Sequence, residues 1–63
     1  RVRIGSQDVD DCVAALLRLG YGGARDGGHA RIRMYSEVAN GKVLEAVEMI
    51  EEERKAYEQQ MRQ

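Results

Sequence analysis

Two side chains in this 63-residue chain belong to the thiol and imidazole chemistry of catalysis and soft-metal binding: one cysteine, Cys12, and one histidine, His29. One of each excludes an internal disulfide and any zinc site built from Cys and His alone. Cys12 falls among alanines, valines and leucines on a helical face, where a free cysteine behaves as a small buried hydrophobe. His29 follows two glycines and has no acid-base neighbour, so its spacing offers neither a ligand set nor a catalytic pair. The run GYGGARDGG (residues 20–28) has the glycines of a phosphate loop. No Gly-Lys-Ser/Thr follows it and no convincing strand-to-helix context surrounds it, so it reads as a flexible connection. Arg25, Arg31 and Arg33 suit an acidic partner or phosphates, but without an aromatic platform they read as a solvated face. The acid-base groups are scattered and the chain is short for enclosing a pocket. The expectation is therefore a protein that is not an enzyme, with no catalytic residue, cofactor or metal.

A chain of this length makes one small domain, residues 1–63, which buries only roughly 60% of the surface its unfolded state exposes. It opens at Arg1 and reads as a piece of something larger. Without Trp, Phe or Pro, its core must be aliphatic, with Tyr21, Tyr35 and Tyr57 as the aromatics. The net charge of -1 argues against a general nucleic-acid binder. It divides into +2 over residues 1–35 (six Arg, four Asp) and -3 over residues 36–63 (four basic, seven acidic). No apolar run approaches the roughly 18 residues of a membrane span, and no signal-peptide pattern is present. The expected setting is intracellular, cytoplasmic or nuclear, since no disulfide framework is possible.

Two elements must carry whatever the chain does. SQDVDDCVAALLRL (residues 6–19) predicts a helix, with Ser6 or Asp8 capping, acidic groups at the positive end of the dipole and Gly20 as the stop. Its apolar face is Val9, Cys12, Val13, Leu16 and Leu17, at steps of three and four. Residues 42–61 predict a second helix, with Asn40 as N-cap and Val43, Val47, Ile50, Tyr57 and Met61 along one seam that Arg54 interrupts. Glu51 and Lys55 are spaced for a surface ion pair. That seam predicts a homodimer through the C-terminal helix, although it spans little more than two heptads.

Between them, residues 29–38 fit two patterns. As a helix they gather Ala30, Met34, Tyr35 and Val38 and leave Ile32 elsewhere. As a strand, Ala30, Ile32, Met34 and Val38 alternate with Arg31, Arg33, Tyr35 and Glu37, and periodicity alone slightly favours this. RVRI at residues 1–4 alternates too. The strand reading gives an α/β fold, a βαβα fragment with a two-stranded parallel sheet. It would serve as a regulatory or accessory piece of a larger enzyme or transporter, docked or dimerised because two strands are a marginal sheet.

Two stretches, VAALLRLGY (residues 13–21) and NGKVLEAVEMI (residues 40–50), resemble in order the first helix with its loop and the third helix of the ubiquitin-associated (UBA) family. The resemblance implies an all-α, compact three-helix bundle with a core over about residues 6–52 and a helical extension over 53–63. It also implies a non-catalytic interaction module. Leu19, Gly20 and Tyr21 would be the loop pressed against the hydrophobic patch of ubiquitin, Ile50 a buried aliphatic of the third helix, and Met49 a neighbouring contact. This chain differs from the family in a longer connection between Tyr21 and Asn40, in Ser36 where an aliphatic is expected, and in Glu51 where the family commonly places a second aliphatic. A UBA-like domain with another protein partner, or packed within its parent chain, is the alternative. In physical terms glycine lets the backbone approach a partner, while burying Leu19 or Tyr21 would contribute on the order of 1–3 kcal/mol each before the costs of association. The competing reading is that Leu19 and Tyr21 close the bottom of the core.

Overall fold

A computed structural model describes residues 6–61 as an all-α three-helix bundle: α1 (Ser6–Arg18), a 3-10 turn (Ala24–Asp26), α2 (Gly28–Val38) and α3 (Val43–Met61). The first helix forms where its periodicity places it. Val9, Cys12 and Leu16 are buried, Val13 packs partly against the core, and Leu17 stays 39% exposed at the rim. Asp8 lies in the first turn and Arg18 in the last, each with the sign that the dipole favours.

The middle segment is a helix, which overturns the βαβα alternative, and no strand is found among the described residues. RVRI lies outside the described residues. The buried face of α2 is Ile32, Tyr35, Ser36 and Ala39, a run of steps of three and four that uses Ile32 and leaves Met34 and Val38 exposed. Ser36 is the residue that hides this face in the sequence. It is fully buried, and its hydroxyl donates to the Ile32 carbonyl oxygen at 2.8 Å, so this group is not left unpaired in the core.

Both α1 and α2 end in the same hydrogen-bonded turn. At the end of α1, the Gly20 and Tyr21 amides donate to the carbonyls of Leu17 and Leu16, at 3.1 and 3.0 Å. Gly20 takes the required left-handed conformation (φ 100°), and Tyr21 folds back toward the apolar side of Leu16. At the end of α2, the Asn40 and Gly41 amides donate to Glu37 and Ser36, at 3.1 and 2.8 Å, with Asn40 at φ 58°. Asn40 therefore ends α2 rather than capping α3. The first intrahelical bond of α3 runs from the Ala46 amide to the Lys42 carbonyl.

The core joins Cys12 and Leu16 of α1, Ile32, Tyr35 and Ala39 around α2, and Ala46 and Ile50 of α3. Its aliphatic character follows from the composition, and Tyr35 is the one aromatic that it fully encloses. Nineteen residues of α3 span about 28 Å at a rise of roughly 1.5 Å each. Toward its C-terminus Tyr57 and Met61 are 61% and 70% exposed, and the principal extents are 48 × 20 × 16 Å.

Candidate functional site

The four residues singled out by sequence occupy different environments. Leu19, 62% exposed, and Gly20 stand out at the turn after α1. Tyr21 is half-buried and packs on the core, and Met49 does so from α3. Met49 sits in a shallow depression that it shares with Glu45, Glu48 and Glu52, all on the same helix. Leu19 is not part of that depression. The loop is tied to α3 at another place, through Tyr21.

The Tyr21 hydroxyl donates to Glu51 Oε2 at 2.6 Å, and the Arg54 guanidinium lies over the Tyr21 ring, 4.8 Å from its centroid. The guanidinium reaches Glu51 at 3.5 Å and binds Asp26 with both prongs of its fork, Nε to Oδ1 at 2.7 Å and Nη2 to Oδ2 at 2.8 Å. Asp26 also accepts the Gly22 amide at 3.2 Å. These contacts join the loop, the 3-10 turn and α3 through one planar cation, the geometry for which arginine is suited and lysine is not. The Asp26 side chain is 1% exposed and that of Arg54 24%, so the pair is largely withdrawn from water.

The local backbone makes this possible. Gly22 has φ 102°, and a Cβ there would stand 2.8 Å from Leu17 Cδ2 and 3.1 Å from the His29 ring. Only glycine lets the chain pass so close to α1 and α2 before turning into Ala24–Asp26. The run expected to be a flexible connection, residues 20–28, closes α1 at Gly20 and then turns through Ala24–Asp26, burying the Asp26 carboxylate.

Electrostatics follow the contacts. Hydrogen bonds from Arg54, helped by the Gly22 amide, hold the Asp26 carboxyl below its ordinary value despite the opposing effect of burial. The same pair raises Arg54. The Tyr21 phenol is held above its ordinary value, first by donating to Glu51 and next by its loss of water.

Three further arginines face carboxylates of this chain. Arg25 meets Glu58 and Arg31 meets Glu53, each at 2.5 Å, and Arg33 meets Asp10 at 2.8 Å. Glu53 also accepts the Tyr35 hydroxyl, beside which Arg31 stacks at 5.4 Å from the ring centroid. The pairing of Glu51 with Lys55 does not form, because Glu51 is turned to Tyr21 and Arg54. Cys12 is buried on α1, and His29 is exposed on α2 next to the Gly22 backbone. No helix among the described residues is long and apolar enough to cross a membrane.

No model of a known family, no curated protein and no solved structure matches the chain. The geometry must speak for itself. It brings together Tyr21, Glu51, Arg54 and Asp26, of which only Tyr21 was singled out by sequence. Arg54 did leave a signal, as a charge set into an apolar seam that needs a buried partner. Asp26 left none, since an Asp-Gly pair is ordinary in a turn.

Proposed function

We propose that the chain is a non-catalytic protein-interaction domain of UBA-like type, which binds ubiquitin weakly through Leu19, Gly20 and the adjoining edge of α3. The single observation that carries this reading is an exposed leucine beside a glycine, on a turn braced against α3 through Tyr21. A large apolar side chain held out on a fixed turn contributes its burial to a partner at little ordering cost. The all-α three-helix architecture supports this reading, since a three-helix bundle is the fold that the resemblance implies. Tyr21 serves mainly to brace the turn, because its hydroxyl and one ring face are already engaged.

Titration of the isotope-labelled domain with unlabelled ubiquitin tests this. The amides of Leu19, Gly20 and Tyr21 shift in a saturable way, and Leu19→Asp abolishes the shifts while leaving the helices intact. Absence of shifts at about 1 mM ubiquitin, where binding of roughly -4 kcal/mol is half-saturated, overturns the reading.

A second reading keeps the module and changes the partner. Glu51, with 45% of its side chain exposed, places a carboxylate where an apolar contact to ubiquitin is expected. That favours another protein, or a surface of the parent chain, offering a cation beside an apolar residue. In this case Leu19→Ala alters stability or assembly and ubiquitin has no effect.

A further inference from the structure

The Asp26–Arg54 pair lies behind the exposed turn and not on it, which separates its role from that of Leu19. Arg54 is held at one side by the Asp26 carboxylate, through 2.7 and 2.8 Å contacts, and lies at the other against Tyr21, 4.8 Å from the ring centroid. Asp26 in turn accepts the Gly22 amide, so the backbone on both sides of Tyr21 is fixed: before it by the α1 terminal turn, after it by a buried carboxylate. Tyr21 is bound at its tip by Glu51 of α3, the helix that carries Arg54. From these contacts we infer that Asp26 and Arg54 are positioning residues, a charged strut that sets the shape of the Leu19, Gly20 and Tyr21 turn for its partner.

The residues between Tyr21 and α2 thus acquire a purpose. They deliver one carboxylate to the arginine that interrupts the seam of α3. Arginine's fork fixes direction as well as distance, and a lysine at residue 54 would keep the charge but lose the planar contact with Tyr21. A turn that visits its binding shape only part of the time loses affinity in proportion to that fraction. The inference rests on the proposed interaction role for its functional consequence, while its structural content is readable without any ligand.

The experiment uses Asp26→Asn, which keeps the shape and removes the charge, and Arg54→Lys, which keeps the charge and removes the fork. Heteronuclear relaxation and amide shifts are recorded for both, with Cys12, Leu16 and Ile32 as reporters of the bundle. The expected result is a loss of order and a change of shift at Gly20, Tyr21 and Gly22 while the bundle reporters hold. Ubiquitin affinity falls roughly tenfold in parallel, as it does when the competent turn is populated about a tenth of the time. If the wild-type domain binds no ubiquitin, the proposed function falls, and the strut is still decided by those three amides. Unchanged order and shift at Gly20–Gly22 in a folded variant overturn the strut. Unfolding of both variants overturns it as well, because the pair would then hold the bundle and not the turn.

Discussion

Asp26 and Arg54, 28 positions apart, face each other with two hydrogen bonds of 2.7 and 2.8 Å in a setting where the carboxylate has almost no contact with water. Removing one partner of a buried pair leaves the other charged and unsatisfied, which is the expensive outcome. Asp26→Ala is expected to lower stability by about 3 kcal/mol, toward the low end for such losses because Arg54 is a quarter exposed. Asp26→Asn keeps an oxygen for the guanidinium and should lose less, so that the bundle stays folded while the turn loosens. The Asp26→Ala, Arg54→Met double variant loses less than the sum of its parts. Urea denaturation of the four proteins in the cycle measures the coupling.

Acid should release the same contact. The Asp26 carboxyl is depressed by Arg54 and the Gly22 amide, so the folded state binds its proton less readily than the unfolded chain does. Its contribution is therefore present above the ordinary aspartate value of about 3.9 and is lost as the pH falls through the folded value. Thermal unfolding between pH 6 and pH 2, as test conditions, should show a steeper loss for the wild type than for Asp26→Asn. Parallel curves would assign the acid sensitivity to other carboxylates.

Tyr21 gives the opposite dependence. Its phenol is raised by donating to Glu51, so the folded state retains the proton when the unfolded chain has lost it. The stabilisation is complete below the ordinary tyrosine value of about 10 and is lost as the pH rises through the folded value. Tyr21→Phe keeps the ring under Arg54 but removes the bond, and should cost about 1 kcal/mol at neutral pH. Glu51→Gln should bring the Tyr21 titration down, as followed by the ring resonances.

These contacts explain why α1 and α3 were legible in the sequence and the middle was not. In α1 the buried positions Val9, Cys12 and Leu16 are apolar and the dipole-facing charges have the right sign, so pattern and packing agree. In α2 the buried face contains Ser36, while the apolar Met34 and Val38 point to solvent. A pattern read from hydrophobicity then finds an alternation that the structure does not use. The turn after α1 was visible through Gly20, but its bracing was not, because it depends on Asp26 meeting a residue in the opposite half of the chain. Asn40 marks a helix boundary, but it is the end of α2 and not the start of α3. Its side chain suits both an N-cap and a left-handed C-terminal position, and spacing alone does not separate the two.

Exposed ion pairs should behave differently from the buried one. Arg25 and Glu58 meet at 2.5 Å, yet their side chains are 62% and 59% exposed. Water and salt screen such a pair, and two long side chains lose freedom to form it. Glu58→Gln is expected to change stability by less than about 0.5 kcal/mol. Urea titrations of this variant and of Asp26→Asn at low and high salt would separate the two classes, and a cost at Glu58 equal to that at Asp26 would contradict the assignment.

Ser36 offers a test of how closely α2 is packed. Its hydroxyl is satisfied by the Ile32 carbonyl of its own helix, a bond that contributes little because the carbonyl already lies in the helical ladder. Ser36→Ala should therefore cost no more than about 0.5 kcal/mol by chemical denaturation, the low end for a lost hydrogen bond. Ser36→Leu supplies the aliphatic that the UBA resemblance leads one to expect at this position, but places it at a site with no exposure at all, beside the turn where the Gly41 amide binds the Ser36 carbonyl at 2.8 Å. Overpacking there should cost about 1–3 kcal/mol. A stabilised Ser36→Leu protein would mean that the bundle can open to the wider spacing of an aliphatic core, and that the serine is not what holds α2 close to its neighbours.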